Sequence, residues 1–360
     1  MRDFLARHPS PSGRELAEAG YVAPHWPAPY GRGADPLSQL VIDEELSRAG
    51  VSRPENPIGI GWAGPTILEA GSEAQKERYL LPLLAGEELW CQLFSEPGAG
   101  SDLAAISTRA VRDGESYVVS GQKLWTSLAH RAAFGILLVR TDQSAPRRRG
   151  ITYLICPMRS DGLTIRPIID MTGSHSFNEV FFDEVRIAVA NRVGEENDGW
   201  RLAKVTLANE RVSLSKEGAL WGRGPTARDL VAAVGRGQSR LPPVLRDRLT
   251  RLYIEGEVLS SLRQRSLAAA IAGRSPGPEA LVRKALADAH GQRLMDLSRD
   301  LAGPAAALGL EEADRFGPEY RYGFLFSPAL TIGGGTAEVQ RNIIAERLLG
   351  LPREAELEQP

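Results

Sequence analysis

The 360-residue sequence is poor in several features that define whole classes of protein. Its two cysteines, Cys91 and Cys156, are too few for a disulfide framework and suit a reducing compartment. The longest apolar run, Ala132–Val139, is far shorter than the roughly 18 residues that cross a membrane. The segment Met1–Gly13 has no apolar stretch typical of a secretory signal. These absences predict a cytoplasmic protein without a membrane span.

Charge of one sign is also lacking. Lysine and arginine total 43 against 45 aspartates and glutamates, which gives a net charge of −2. A balance this close to neutral argues against a generic binder of nucleic acid or of anionic membranes. Because 42% of the residues are apolar and 24% are charged, we expect a folded chain with two or three sub-cores.

Patterns typical of several enzyme classes are missing or out of context. The five histidines show no metal-ligand spacing, and G-x-S-x-G is absent, so His175 is predicted to be a loop residue that could touch a ligand. Gly59–Gly64 matches G-x-G-x-x-G but follows a turn, which predicts a loop between helices instead of a dinucleotide site. Arg147–Arg149 and the pair Arg236 and Arg240 lie in turn-rich stretches and are predicted to be solvated.

The pattern of apolar, β-branched and turn residues changes twice along the chain. These changes predict helices in 1–88, β-structure in 89–195, a helical bundle in 196–353 and a frayed tail in 354–360. Short β-branched or aromatic runs in the middle region predict a small antiparallel sandwich or barrel. The predicted helices are 35–49, 66–69, 73–84, 200–218, 243–273, 278–308 and 337–349. The predicted strands are 89–94, 116–119, 135–140, 151–155, 163–168 and 179–187.

Two segments of the middle region carry residues suited to ligand binding. Gln92–Asp102 runs from a predicted strand into a turn with two glycines, whose free N–H groups can bind anionic or carbonyl oxygens. Gly121–Ser127 places a tryptophan beside two hydroxyls, which suits a planar heterocycle. The structural alternatives are a tight β-turn in the first segment and an ordinary buried tryptophan in the second.

A third segment, Thr331–Arg341, sends three glycines directly into a predicted helix with Thr336 near its N-cap. A helix N-terminus after glycines can hold an anion or a carbonyl oxygen. The alternative is a glycine-rich linker capped by threonine.

The order of these segments is itself informative. Along the chain come Ser95–Asp102, Gly121–Ser127, Phe177–Phe182, Val193-Gly194, Gly199-Trp200 and Gly334–Asn342. This combination resembles the acyl-CoA dehydrogenase family from about Ala17 to Arg353. The resemblance implies an α+β fold with an N-terminal helical domain, a middle β-barrel or sandwich and a C-terminal four-helix bundle, with FAD between the last two. It also implies oxidation of an acyl-CoA thioester to the trans-2-enoyl product, with electrons passed to an electron-transferring flavoprotein.

The resemblance further implies which residues contact FAD. Ser95 would lie against the pyrimidine side of the flavin, Trp125 would lie against the ring and Ser127 would point toward N5. Thr336 and Glu338 would approach the ribityl or phosphate part. The full set implied for the cofactor is Phe94, Ser95, Gly100, Ser101, Trp125, Ser127, Thr336 and Glu338.

The catalytic base departs from the commonest family pattern. Many members carry Tyr-Glu-Gly-Thr before the last helix, but the aligned stretch here is Gly333–Thr336, so Gly334 replaces the glutamate. The α-proton of a thioester is weakly acidic and needs a positioned base. Isovaleryl-type members place it on the first bundle helix, where this chain has Glu210 followed by Arg211. The alternative is a solvated helix acid paired with Lys204 or Arg211.

On the substrate side, the resemblance implies three further contacts. The backbone N–H of Gly334 would still hold the thioester oxygen, because that contact needs no side chain. Ser101 would contact the thioester or pantetheine region, and Arg211 would also bind substrate.

Two family motifs for the adenine side of FAD are only weakly matched in this sequence. A rival interpretation of the function therefore stays open. The loop Gly235–Pro243 lacks the phenylalanine of Arg-x-x-Phe-Gly, and Asp300–Gly309 replaces Gln-x-x-x-Gly-Gly. The rival is a non-catalytic or half-site subunit that works with a second dehydrogenase-like chain. Flavin monooxygenation is a third reading that no residue favours.

The acyl group cannot be read from one sequence. We expect a homodimer or homotetramer, because Leu252, Leu259 and Leu262 on one predicted helix need covering.

Overall fold

The computed structural model describes residues 1–214, 219–221, 223–236, 241–273, 279–304 and 317–352. The chain divides into two compact units, Met1–Glu210 and Arg211–Pro360. Helices, a β-sheet and further helices follow one another along the chain, which confirms the predicted α+β class. The predicted tail 354–360 lies outside the described residues, and the predicted domain boundaries stay predictions.

The first unit begins with five α-helices, three of which have a side-chain cap at the N-terminus. Asp35, the predicted N-cap, accepts hydrogen bonds of 2.9 Å from two backbone N–H groups, and Pro36 occupies the first helical turn. Ser72 and Gln75 form a reciprocal capping box at the start of a later helix. The helices are α1 (Arg2–Arg7), α2 (Gly13–Glu18), α3 (Pro36–Arg48), α4 (Gly64–Ala70) and α5 (Glu73–Ala85).

The glycine-rich stretch before α4 is not the predicted loop. Gly59–Ala63 forms one π-helical turn that continues into α4. A Cβ added at Gly64 would lie 2.2 Å from the Trp26 ring, so that glycine allows the close approach of helix and indole. The glycine spacing here serves packing, and no strand precedes it.

The first unit also contains an eight-stranded sheet. The strands are β1 (Trp90–Leu93), β2 (Arg109–Asp113), β3 (Ser116–Lys123), β4 (Phe134–Arg140), β5 (Ile151–Pro157), β6 (Leu163–Ile168), β7 (Phe177–Ala188) and β8 (Arg192–Val193). Their order is β6-β7-β3-β2-β4-β5-β8, with β1 paired to β4 off this path. After β8, helix α6 (Gly199–Leu214) begins; its final residues extend past Glu210 into the second unit.

The pairing is mixed, so the expectation of a wholly antiparallel arrangement is wrong. β4 pairs in parallel with both β1 and β2. β2 and β3 lie between β1 and β4 in the sequence, and such a long connection allows the chain to return in the same direction. Ile136 and Leu138 of β4 face the core shared with the helices, and Leu137 and Val139 face a second core. The strand is apolar throughout because both of its faces are covered.

The second unit is helical in its described residues. The two helices that flank the long ones were not predicted from the sequence. The helices are α7 (Ala227–Arg236), α8 (Pro243–Ile271), α9 (Glu279–Ala302), α10 (Pro318–Phe326) and α11 (Ala337–Arg347). The parts of two predicted helices at 215–218 and 305–308 lie outside the described residues. No helix among the described residues is long and apolar enough to cross a membrane.

Leu252, one of the three leucines that were expected to need covering by another subunit, is covered within the chain itself. Leu252 of α8 packs in the core of the second unit with Leu294 and Leu297 of α9. The exposed apolar residues of α8 are instead Val244 and Ile254, together with Tyr253, Val258 and Ile271.

A single buried amide joins the helices of the first unit to the sheet. The Asn56 Nδ2 donates to the carbonyl oxygens of Leu83 and Glu88 at 2.9 and 3.0 Å. Its Oδ1 accepts from the backbone N–H groups of Trp90 and Gly59 at 3.2 and 3.3 Å. The side chain therefore fixes the end of α5, the start of β1 and the π-helical turn together.

We expect Asn56→Ala to lower the free energy of unfolding by about 3 kcal/mol, because it leaves several buried backbone groups without partners. Gln39→Ala removes an amide that makes one hydrogen bond of 3.2 Å from a half-buried position, and should cost less than about 1 kcal/mol. Chemical denaturation of both variants measures the difference, and equal losses would contradict the role given to Asn56.

Candidate functional site

The segment after β1 forms a tight turn with an open backbone. Glu96 and Ala99 exchange backbone hydrogen bonds of 2.9 and 3.1 Å, which close the turn within Ser95–Asp102. Gly98 and Gly100 are exposed, and a Cβ added at either position meets no atom within 4 Å. Among the described residues, no atom therefore crowds the backbone at these two glycines.

The other predicted residues of this segment lie at different depths. Phe94 is buried with its ring 6.0 Å from that of Tyr153, edge to face, so it supports the turn from beneath. Ser95 is half-buried, and its carbonyl accepts a 2.8 Å hydrogen bond from the N–H of Leu124, which follows β3. Ser101 is exposed at the far end of the turn. The structure thus connects the first candidate segment directly to the second.

A fully buried ion pair holds the two segments together. Lys123, the last residue of β3, is 0% exposed, and its Nζ donates to Glu96 Oε1 at 2.8 Å and to the Phe94 carbonyl at 3.0 Å. Glu96 also accepts from Ser107 N and Oγ at 2.7 and 2.8 Å and from Thr108 N at 3.0 Å. Sequence reasoning missed this pair, although both residues stand inside the motifs it selected.

The pair keeps its charges because each charge is solvated by the other and by fixed dipoles. Burial by itself raises the pKa of Glu96. The charge of Lys123 and the hydrogen bonds from Lys123, Ser107 and Thr108 outweigh burial and lower that pKa to about 2. Burial lowers the pKa of Lys123 to about 8, and Glu96 opposes that shift.

The second segment presents its tryptophan to solvent. Trp125 is 57% exposed at a φ of 59°, and its ring meets Phe177 edge to face at 5.9 Å. Asn178 fixes the next residue, because its backbone and side chain bond both backbone groups of Thr126 at 3.0 Å. The buried Thr126 Oγ1 has no hydrogen-bond partner among the described residues, and Ser127 is half-buried beside it. The alternative of an ordinary buried tryptophan does not hold.

Two histidines flank this second segment. His175 stacks on His130 with ring centroids 4.2 Å apart. Asn178 Oδ1 lies 2.9 Å from His175 Nε2, and Asn178 Nδ2 lies 3.3 Å from His130 Nδ1. Burial, with the neighbouring His175, lowers the pKa of His130. His175, which was predicted to be a loop residue that could touch a ligand, therefore lies beside the Trp125 loop.

Glu210 is buried and is therefore not a solvated helix acid. The residue is 7% exposed on α6, and its Oε2 accepts a 3.3 Å hydrogen bond from Gln92 Nε2 of β1. Gln92 Oε1 is buried, with no hydrogen-bond partner in the part of the chain that the structure describes. The predicted base thus stands beside the strand that leads into Ser95–Asp102. The Arg211 side chain lies outside the described residues.

Three hydroxyls fix α6 one turn before Glu210. Thr206 Oγ1 lies 2.8 Å from Thr66 Oγ1 of α4 and 3.0 Å from the Tyr153 hydroxyl of β5. All three side chains are buried. Because the cluster joins a helix, a strand and α6, it sets the position from which Glu210 projects.

The second unit contains the third candidate segment, the glycine turn Gly333–Gly335. Gly334 and Gly335 have φ values of 68° and 95°, a region that favours glycine. The Thr336 hydroxyl caps α11 by accepting from Val339 N at 3.3 Å, as predicted. Glu338 is exposed in the first helical turn, and hydrogen bonds from its own N–H and from Thr336 lower its pKa.

The arginines that the sequence raised as phosphate candidates are the last to be located. Arg147 is exposed and pairs with Asp102 at 2.9 Å, as a solvated arginine would. Arg240 and the Arg236 side chain lie outside the described residues. Within the described ranges no group of His, Cys, Asp and Glu could hold a metal ion, and both cysteines are free and buried.

Three domain models of one oxidoreductase family match consecutive parts of the chain. The N-terminal, middle and C-terminal domains of acyl-CoA dehydrogenase match residues 5–87, 91–185 and 197–349. The chain belongs to the acyl-CoA dehydrogenase family, whose members are generally FAD-dependent flavoproteins.

Individual relatives agree with this membership. Acyl-CoA dehydrogenase IpdE1 of Mycobacterium tuberculosis is 39% identical over 95% of this chain and 88% of its own length. Acyl-CoA dehydrogenase FadE34 of the same organism is 46% identical over 94% of this chain, which spans 46% of FadE34. The chain is therefore about half as long as this relative.

Solved structures share the fold over nearly the whole chain. The Tcur3481-Tcur3483 steroid ACAD superposes with a TM-score of 0.80 at 31% identity, covering 95% of this chain and 88% of that one. The ChsE4-ChsE5 complex from Mycobacterium tuberculosis gives a TM-score of 0.78 at 33% identity, covering 95% and 89%.

The residues of the first unit fit one end of a flavin. An exposed indole offers a face to a planar ring, and the unpartnered Thr126 hydroxyl with Ser127 offers polar atoms beside it. The open backbone at Gly98 and Gly100 gives room for close approach. These residues would hold the ring system.

We expect Lys123→Met to lower the free energy of unfolding by about 3–5 kcal/mol, because it leaves the Glu96 carboxylate buried without a counter-charge. Denaturant titration measures the loss. The double variant Lys123→Met with Glu96→Gln removes both charges and should recover most of it. A double variant as unstable as the single one would show that the charge pair is not the cause.

The pair also predicts an acid dependence of stability. Since folding lowers the pKa of Glu96 to about 2 from 4.5, its contribution is fully present above pH 4.5 and is lost as the pH falls toward 2. Unfolding free energies measured between pH 5 and pH 2.5 should therefore fall more steeply in the wild type than in Glu96→Gln. Parallel curves would contradict the lowered pKa.

Proposed function

We propose that this chain catalyses the FAD-dependent α,β-dehydrogenation of an acyl-CoA thioester to the trans-2-enoyl-CoA. The observation that carries the proposal is the burial of the Glu210 carboxylate beside β1 in a chain that has glycine at the commoner base position, Gly334. A buried carboxylate at this place in the chain is suited to accept a proton from carbon.

Glu210 takes the α-proton in this proposal. Its Oε2 is oriented by the Gln92 amide, and the Thr206 cluster holds the helix on which it stands. The N–H of Gly334 binds the thioester oxygen and so stabilises the negative charge that develops there. Bound FAD would supply the acceptor for the β-hydride.

In the same proposal, different residues bind the flavin and the acyl-CoA. Trp125 and Ser127, with the backbone at Ser95 and Gly100, hold the flavin, and Phe94 supports that turn. Thr336 and Glu338 approach the ribityl or phosphate part. Ser101 and Arg211 contact the acyl-CoA.

For the acyl group we propose a bulky one, with steroid-derived acyl-CoA thioesters as the first to be tested. The support is the likeness to a structure described as a steroid ACAD, at 31% identity over 95% of this chain. We further propose a cytoplasmic location, supported by two free cysteines, and an electron-transferring flavoprotein as the electron acceptor.

The second candidate function is that of a non-catalytic or half-site subunit, which works with another dehydrogenase-like chain. Gly334 lacks the usual carboxylate, and the two similar structures are named as pairs, Tcur3481-Tcur3483 and ChsE4-ChsE5. FadE34 is about twice as long as this chain, which is the length of two such subunits joined. The buried Glu210 favours a chain that keeps its own base.

FAD content separates the two candidates. We expect the purified chain to form a homodimer or homotetramer with one FAD per chain, because the exposed apolar residues of α8 favour association. Light scattering with flavin counted per chain measures both quantities. A colourless chain that takes up FAD only with a second dehydrogenase-like chain would favour the shared-site candidate.

We expect Glu210→Gln to keep FAD and acyl-CoA binding but to slow anaerobic flavin bleaching by acyl-CoA about 10²–10⁴-fold, since the amide cannot accept the α-proton. Glu69→Gln is the matched control, because it makes the same chemical change at an exposed residue that pairs with Arg201. Bleaching of Glu210→Gln at the control rate would place the base elsewhere.

A further inference from the structure

A buried lysine of the second unit holds the glycine turn from within. Lys284 of α9 is buried, and its Nζ donates to Asp288 Oδ2 at 2.5 Å, to the Gly333 carbonyl at 3.1 Å and to the Leu330 carbonyl at 3.4 Å. The three acceptors use all three N–H donors of the ammonium group. One charged side chain thus fixes two carbonyls that precede Gly334.

A second buried side chain holds the next peptide. Gln340 of α11 is buried, and its Nε2 donates to the Gly334 carbonyl at 3.3 Å. The peptide groups on both sides of the Gly334 Cα are therefore each anchored by a different buried donor. Without these anchors, glycines at such φ values have little to hold their peptide planes in one orientation.

The anchors determine where the N–H of Gly334 points. In a trans peptide the C=O and N–H lie on opposite sides of the bond, and the Gly333–Gly334 bond is trans. Because the Gly333 oxygen faces the Lys284 ammonium, the N–H of Gly334 faces away from it. Across the described ranges of the chain, neither Gly334 N–H nor Gly335 N–H donates to a protein acceptor.

We propose that Lys284, with Gln340, is a positioning residue that aims the N–H of Gly334 at the thioester oxygen. The inference rests on the function proposed above. Lys284 acts through the backbone, so it needs no contact with substrate. Its charge also draws electron density toward the Gly333 oxygen, which makes the N–H of the same peptide a stronger donor.

The orientation of the two peptides can be measured without substrate. The three consecutive glycines 333–335 hold the only Gly-Gly bonds in the sequence. Protein labelled with ¹³C-carbonyl and ¹⁵N glycine therefore gives two HNCO cross-peaks, from Gly334 and Gly335. We expect Lys284→Met to shift the Gly334 cross-peak and Gln340→Met to shift mainly that of Gly335. An unmoved Gly334 cross-peak in Lys284→Met would overturn the inference.

Polarisation of the bound thioester tests the consequence. The carbonyl stretch of a ¹³C-labelled enoyl-CoA on the full-length holoprotein should lie well below its solution value in the wild type. In Lys284→Met we expect at least half of that shift to disappear and kcat to fall about 10²-fold, with FAD still bound. The double variant Lys284→Met with Asp288→Asn removes both charges and serves if the single variant does not fold.

The control and the contrary outcomes separate this inference from the proposed function. Asp288→Asn keeps the bonds of Lys284 to the carbonyls and should retain most of the carbonyl shift. An unshifted carbonyl in the wild type would contradict the proposed function and, with it, the inference. A full shift in both the wild type and the Lys284 variants would overturn the inference alone.

Discussion

The ion pair between Lys123 and Glu96 is the interaction on which the two candidate segments of the first unit depend. It joins the last residue of β3 to the turn after β1, and Glu96 also fixes the backbone before β2 through Ser107 and Thr108. Because both charges are fully buried, each is stable only while the other is in place. The open turn on one side of the pair and the exposed Trp125 on the other therefore keep a fixed spacing.

A second constraint concerns the backbone of the glycine turn. A glutamate at position 334 would have to adopt a φ of 68°, which is strained for a residue with a Cβ. Glycine avoids that strain but offers no side chain, so the N–H is the donor that Gly334 can offer to a ligand. We propose Glu210 of α6 as the source of the carboxylate that the reaction requires, because its burial distinguishes it from an ordinary helix acid.

The features predicted correctly from the sequence are those that residues close together in the chain determine. The Asp35 cap, the long helices and the glycine-containing turn within Gln92–Asp102 all follow from short windows. The pairing of Lys123 with Glu96 does not, because it joins residues 27 positions apart in two different motifs. The same limit hid the parallel pairing of β1 with β4, which depends on the path of the chain between them.

Exchange of the substrate α-hydrogen with solvent tests the central claim most directly, because it isolates proton removal from hydride transfer. The holoprotein, with its flavin reduced beforehand, is incubated in D₂O with acyl-CoA, and deuterium at C2 is followed by mass spectrometry. We predict exchange in the wild type and a rate at least about 10²-fold lower in Glu210→Gln. Equal exchange in the two proteins would contradict the assignment of Glu210 as the base.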